Sequence, residues 1–392
     1  MRTFFSIVGL TCLLTAANAQ PAASGYRKIQ LSDKFYAEGA YFADFNKDGK
    51  MDVVAGPWWF EGPAFTTKHE YRPVNEFQPT GYSDNFLTYA ADINGDGWCD
   101  IVCVPWPGKE GFWYENPQGK DGPWKQRSYG KMIGGESPVW ADVDGDGRPD
   151  LVHNINGEYG YSKFDPAKPD APWTFVSICK GKYSQYSHGQ GAGDVNGDGK
   201  VDLLESGCWW EQPAKAGEPW KQHVYKFAAG GAAQLLVADV DGDGLNDVIT
   251  AVACHGYGLV WHKQIKDEKG EVTFKENVIL PAKPDTKSQD LRISQLHALD
   301  YYVLDGKFAG FVTGKRLWAH GLKGDAEPDA PPVLYLFQLQ RDKDKGASFA
   351  PVKIDDASGV GTQVAAVDLN DDKTPDIIVA NKKGMFIFLS QK

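Results

Sequence analysis

The sequence predicts an all-β protein, a seven-bladed β-propeller, on three observations. An aspartate-rich nine-residue pattern recurs six times, an apolar run follows each copy, and the first four steps between copies are 45–52 residues. Glycine (44) and aromatics (13 Trp, 17 Tyr, 20 Phe) are plentiful among the 392 residues, which suits a turn-rich β chain better than a helical one.

The elements follow in order. Residues 1–19 read as an export signal: Arg2 starts it, Phe4 to Leu14 form its apolar core, and Ala17-Asn18-Ala19 offer a cleavage site. A membrane span needs roughly 20 apolar residues and this run is shorter, so the expected destination is periplasmic or extracellular and the chain is not membrane-spanning. Residues 20–392 then form one propeller domain. In each repeat the run before the first Asp is one strand and the run after the last Asp a second. An aromatic third follows (WWFEGP, FWYENP, CWWEQP), and a fourth resembles WKQRSY or WKQHVY. A decayed copy around Asp305 brings the count to seven, and charged or Pro/Asp-rich insertions at 263–273 and 321–332 stretch its neighbourhood. The last unit ends after three strands. YRKIQL at 26–31 is therefore expected to supply its fourth and close the ring, removing two open edges. An open solenoid is the rival arrangement.

The pattern itself is Asp-x-Asx-x-Asp-Gly-x-x-Asp. Its copies are Asp44, Asn46, Asp48 and Asp52; Asp92, Asn94, Asp96 and Asp100; and Asp142, Asp144, Asp146 and Asp150. They continue as Asp194, Asn196, Asp198 and Asp202; Asp239, Asp241, Asp243 and Asp247; and Asp368, Asn370, Asp372 and Asp376. Oxygens at positions 1, 3, 5 and 9 around a glycine turn suit a hard cation with six or seven ligands, hence Ca²⁺. An EF-hand is excluded, because Asp closes the loop at position 9 and strands flank it. Up to six structural Ca²⁺ ions are expected, and they would neutralise the charge of the exported chain. The alternative is metal-free Asx turns. The last loop, with Lys373 in place of glycine, is the weakest.

A net charge of −11 repels phosphates and argues against nucleic acid as a partner. Beyond the leader, five cysteines (Cys99, Cys103, Cys179, Cys208, Cys254) make no disulfide scaffold; one or two bridges, or buried small hydrophobes, are the readings left open.

If the loops share one rim, chain direction puts two kinds of position at the opposite mouth: residues about six before the first Asp, and residues three to eight after the last. These are Glu38, Glu136, His188, Gln295 and His297, then Trp58, Trp106, His153, Asn154, Glu205, His255, Lys315, Arg316, Trp318 and His320. A ring of His, Glu, Arg and Trp suits carbohydrate, with aromatics on sugar faces and polar groups on hydroxyls. Each has a plainer reading: a rim glutamate is usually solvated, Trp58 and Trp106 can pack between sheets, and His153 can be a satisfied core histidine. The cluster Lys315-Arg316-x-Trp318-x-His320 stands out, because the aspartate loop of the same unit has decayed.

The Asp-rich repeat resembles the FG-GAP/VCBS family of propellers over essentially the whole mature chain. The stretches SQLHAL and TGKRLWAHG look like those in the propeller domain of the aldos-2-ulose dehydratase family, whose members eliminate water from keto-sugars. The resemblance implies a carbon–oxygen lyase of dehydratase type acting on sugars. In that reading His297 or His188 is the base, Arg316 with Lys315 stabilises the enolate, and His320 is the acid or a ligand of an additional divalent metal in the channel. The alternative is a non-catalytic carbohydrate- or protein-binding module. Hydrolysis by Glu38 and Glu136 has no supporting spacing.

Overall fold

The computed structural model describes residues 25–391 except 182, 286 and 345. The expected export signal at 1–19 lies outside the described residues. Regular structure among them is entirely strand, and no helix is long and apolar enough to cross a membrane.

The chain opens with β1 (Tyr26–Ser32). The first unit is β2 (Ala40–Ala43), β3 (Asp52–Ala55), β4 (Trp58–Phe60) and β5 (Lys68–Glu70). Then come β6 (Leu87–Ala91), β7 (Asp100–Val104), β8 (Lys109–Glu115) and the long β9 (Lys125–Ala141), followed by β10 (Asp150–Ile155), β11 (Glu158–Lys163) and β12 (Thr174–Lys180). The next units are β13 (Gln190–Gly193), β14 (Asp202–Glu205), β15 (Cys208–Glu211) and β16 (Lys221–Val224), and β17 (Leu236–Ala238), β18 (Asp247–Ala251), β19 (Leu259–Lys266) and β20 (Val272–Leu280). The last are β21 (Leu296–Leu304), β22 (Lys307–Lys315), β23 (Leu334–Asp342) and β24 (Gly346–Asp355), then β25 (Val364–Val367), β26 (Asp376–Asn381) and β27 (Gly384–Ser390).

Every ladder between these strands is antiparallel, and within each sheet neighbours are consecutive in the chain except where β1 joins β27. Five sheets have four strands. The sixth has seven, because β9 is continuous: its first half pairs with β8 and its second with β10. β1 pairs with β27 from Tyr26 opposite Ser390 onward, so the N-terminal strand completes the C-terminal sheet. The insertion at 263–273 is no loop; it lengthens the β19–β20 hairpin.

Burial follows strand order. The second strands β3, β7, β18 and β26 are buried throughout, whereas the fourth strands β5, β12 and β16 are largely exposed. Second strands therefore lie between neighbouring sheets. Val53 and Ala55 pack with Ile378 and Ile387, and Val312 and Leu334 pack with Ile377 and Phe386. Each such side chain contributes about 1.5–3 kcal/mol by leaving water.

The ninth aspartate of each loop has a role that position alone does not reveal. Asp52, Asp100, Asp150, Asp202, Asp247 and Asp376 are all buried. Asp376 accepts backbone N–H groups from Leu369 (2.9 Å) and Ser390 (2.7 Å), and Asp202 accepts them from Val195 and Gln212 (2.9 Å each). One carboxylate thus fastens its loop to the end of the third strand and satisfies two backbone donors. At position 6 the backbone is left-handed: Gly97 has φ 82°, and Lys373 adopts φ 70° in the loop that lacks glycine, at a steric cost of about 1–2 kcal/mol.

The five cysteines in the described residues are free thiols, so of the two readings left open bridging fails; Cys103, Cys208 and Cys254 are buried and Cys99 and Cys179 half-buried.

Candidate functional site

Adjacent units are tied by backbone hydrogen bonds at the strand ends away from the aspartate loops. Glu38 N–H donates to Asn85 O, Glu136 N–H to Ser187 O, Leu235 N–H to Gln190 O and Gln295 N–H to Gly256 O. Val360 N–H donates to Lys315 O and Thr362 N–H to Glu38 O, which brings the last unit back to the first. These bonds carry residues remote in sequence to one mouth.

Three imidazoles and a thiol meet there. One ligand atom each from His188, Cys254, His255 and His297 lies within 4.8 Å of the others. The Nδ1–H of His188 donates to Tyr186 O (2.8 Å) and that of His297 to Gln295 O (3.3 Å), which leaves both Nε2 atoms facing the cluster. His188 Nε2 lies 3.1 Å from His255 Nε2, and the buried His297 Nε2 and His255 Nδ1 have no hydrogen-bond partner among the described residues. Gln295, held at φ 61°, donates through Nε2 to His255 O (2.9 Å) and shapes the bend that presents His297.

Beside the imidazoles runs a buried ionic chain. Arg316 Nη2 donates to Glu38 Oε1 (2.5 Å), its Nη1 lies 3.6 Å from Glu136 Oε2, and Glu136 is 3.2 Å from His188 Nε2. Burial alone would raise Glu136, but His188 and Arg316 hold it down at about 2. Burial would likewise lower His188, yet Cys254 and Glu136 bring it up to about 10. Burial, with His188 and His320 nearby, pushes His255 down to about 4, and burial with Arg316 nearby holds His297 well below the usual range. His255 and His297 are therefore neutral, as metal ligands must be. His320 is half-exposed at the mouth, its ring centroid 4.3 Å from that of His255 and its Nδ1 3.9 Å from Asp325.

Glu38, Glu136, His188, His255, Gln295, His297, Arg316 and His320 are thus brought together, and seven other expected residues are engaged elsewhere, among them Asn154, which donates through Nδ2 to Ser184 O (2.9 Å), and Glu205, which accepts from the Tyr183 hydroxyl (3.1 Å). Lys315 follows strand alternation away from Arg316; its Nζ donates to Ser294 Oγ (2.7 Å) and Ala326 O (3.2 Å). His153 lies inside its sheet, donating from Nδ1 to Asn154 O (2.9 Å) and accepting at Nε2 from Ser162 (2.8 Å), so it is a satisfied core histidine. Trp58 packs edge-on against Tyr36 in the core. The Trp318 indole donates to Pro328 O under the 321–332 segment, and only its carbonyl serves the mouth, accepting from Lys382 Nζ (2.7 Å). Trp106 lines a cavity next to the mouth with Tyr82.

Three residues at the mouth are not among the expected ones. Cys254 reads as a small hydrophobe although it adjoins His255. Lys382, which burial pushes down to about 8, lies six residues after Asp376, where the positional rule would have found it. Tyr82 sits in a connection without repeat pattern. The six aspartate loops lie at the opposite ends of the same strands. Two of them, at Asp142/Asp144/Asp146 and Asp239/Asp241/Asp247, gather carboxylates closely enough to hold an ion.

Comparisons place this architecture. Residues 92–153, which include two of the loops, match the FG-GAP-like repeat. BBS1N, solved in complex with ARL6DN, is similar over 94% of this chain and 98% of its own, with 9% identity and a TM-score of 0.52. The fold is that of a propeller. A lectin of Agrocybe aegerita, solved for its recognition of non-reducing terminal N-acetylglucosamine, aligns over 86% of this chain and 82% of its own (16% identity, TM-score 0.45). The V. cholerae biofilm matrix protein Bap1 aligns over 89% and 77% (14%, 0.38). No curated protein matches the sequence.

Proposed function

We propose that this chain is an exported, seven-bladed, calcium-stabilised propeller whose mouth carries out β-elimination on a keto-sugar or oxidised glycoside. Counting β9 in two units gives seven four-stranded blades, with β1 closing the last. The convergence of His188, His255 and His297 beside the Glu38–Arg316–Glu136 chain carries the reading. Three imidazole nitrogens with a neighbouring thiol suit a zinc-class ion, which would displace the Nε2 proton that His188 shares with Glu136, and the orphaned His297 Nε2 fits that role. Bound there, such an ion would polarise a carbonyl oxygen.

The chain's own residues do the rest. With the three histidines as ligands, the base role expected for His188 or His297 passes to His320, which faces solvent and has Asp325 behind it. His320 takes the proton α to the carbonyl. The C–H electron pair becomes the new C=C bond as the β C–O bond breaks, and His320 returns the same proton to the departing oxygen, which leaves as water or alcohol. Arg316, engaged by two carboxylates, positions Glu38 and Glu136 rather than touching the substrate. Lys382 supplies a cationic N–H beside the mouth.

The test is enone absorbance from a panel of keto-sugars. The wild type generates it, and His320→Ala lowers kcat at least a hundredfold while zinc content is retained. If no keto-sugar yields an enone, elimination is wrong. The remaining reading is then a carbohydrate-binding module, for which the aromatic cavity beside the mouth speaks.

A further inference from the structure

A cavity of about 620 Å³ opens between the first two sheets, next to the mouth but outside the histidine cluster. Its aromatic walls include Tyr82 and Trp106, whose ring centroids lie 3.8 Å apart and tilted by 52°. Trp106 is backed edge-on by Phe86 (5.1 Å), which fixes its orientation while leaving the indole half-buried. Tyr82 belongs to both spaces. Its hydroxyl donates to Ala319 O (2.6 Å), one residue from His320, and its ring lies 4.7 Å from Lys382 Nζ.

The polar lining is built rather than incidental. Arg72 is buried and grips Asp84 through two nitrogens (3.0–3.1 Å), which fixes both charged groups at the cavity wall. Lys109 and Glu110 also line the space. Two cations therefore face two anions, so the cavity is charge-balanced. Aromatic faces with in-plane donors and acceptors and no net charge suit a neutral sugar ring; a carboxylated ring would be set against Asp84 and Glu110.

We infer that this cavity is a second sugar subsite and that the mouth receives a glycoside of at least two rings, uncharged at the ring seated against Trp106. The inference rests on the proposed function only for the class of ligand. Calorimetric titration of the full chain with glucose, with β-1,4-, α-1,4- and β-1,3-linked glucose disaccharides, and with a disaccharide ending in glucuronate tests it. At least one neutral disaccharide is expected to bind tenfold or more tightly than glucose and more tightly than its uronate counterpart. Trp106→Ala removes most of that advantage. Glu110→Gln, a milder change at the rim, reduces it severalfold with the thermal midpoint unchanged. Equal affinity for one and two rings, binding of none of the sugars, a preference for the uronate, or equal losses for both ring counts in Trp106→Ala would each overturn it. Enone formation from a single-ring keto-sugar is read separately, so elimination can stand when the subsite fails, and the reverse.

Discussion

Arg316 and Glu38, 278 positions apart, meet at 2.5 Å with their side chains 2% and 1% exposed. Arg316 follows β22 and Glu38 precedes β2, so the pair spans the unit between them, where Val360 and Thr362 donate to Lys315 and Glu38 carbonyls. Removing one partner strands a buried charge, which costs about 3–5 kcal/mol. Glu38→Ala should lower the urea midpoint accordingly with the m-value unchanged, whereas Glu38→Leu with Arg316→Met should recover most of the loss. A Glu38→Ala protein as stable as the wild type would show that the pair does not brace the mouth.

The histidine cluster makes a separate prediction about metal. An ion held by the folded chain alone stabilises it by about 2.7 kcal/mol at a free concentration one hundred times Kd. Adding zinc to chelator-treated protein should raise the thermal midpoint and yield about one tightly bound ion per chain at this site. In His255→Ala/His297→Ala that ion and that shift should both vanish. Zinc held by the aspartate loops instead would leave the double variant's content unchanged, which separates the two sites.

What the sequence makes legible is whatever repeats. The loops are local patterns, and their position relative to strand ends is the same in every unit, so spacing alone assigns Glu38, Glu136, His188, His255, His297, Arg316 and His320 to one mouth. The rule fails where strand alternation decides the outcome: Lys315 and Arg316 are neighbours on the chain and point to different surroundings. It fails for His153 because a residue three past the loop still lies within β10 and turns into the sheet. Tyr82 is out of reach, since nothing in its irregular connection marks where the chain returns to the mouth.

His153 gives a pH prediction. Burial pushes it down to about 4, against an ordinary 6.5 in the unfolded chain. Between those values the unfolded chain binds the extra proton, so stability rises with pH across the window and is lost as pH falls from 6.5 toward 4. Replacing His153 with Gln should remove this component. The stability difference between wild type and variant, taken from urea curves, should move against the wild type by about 2 kcal/mol between pH 7 and pH 5. A difference that stays constant over that range would mean that His153 is charged in the fold.

Five of the six loops fall into two kinds, and the register shows why; the Asp368 loop, with Leu389 opposite Asp376, belongs to neither. Opposite the ninth aspartate, the third strand carries Glu61, Glu115 and Glu211 in the units whose loops have Asn46, Asn94 and Asn196. Where the third loop position is Asp144 or Asp241, the same strand position holds Lys163 or Lys263. Lys163 bonds Asp144 and lies 3.4 Å from Asp146, and Lys263 bonds Asp241 and lies 3.0 Å from Asp243. The added carboxylate is thus offset by an ammonium from the same sheet. A calcium ion at either loop has to displace that ammonium, because both seek the same oxygens. Lys163→Met should therefore tighten calcium binding at the Asp142 loop at least tenfold, read by competition with a chromophoric chelator. Glu115→Gln, which removes a carboxylate 3.3 Å from Asn94, should weaken binding at the Asp92 loop. Unchanged calcium affinity in Lys163→Met would show that the ammonium and the ion do not compete.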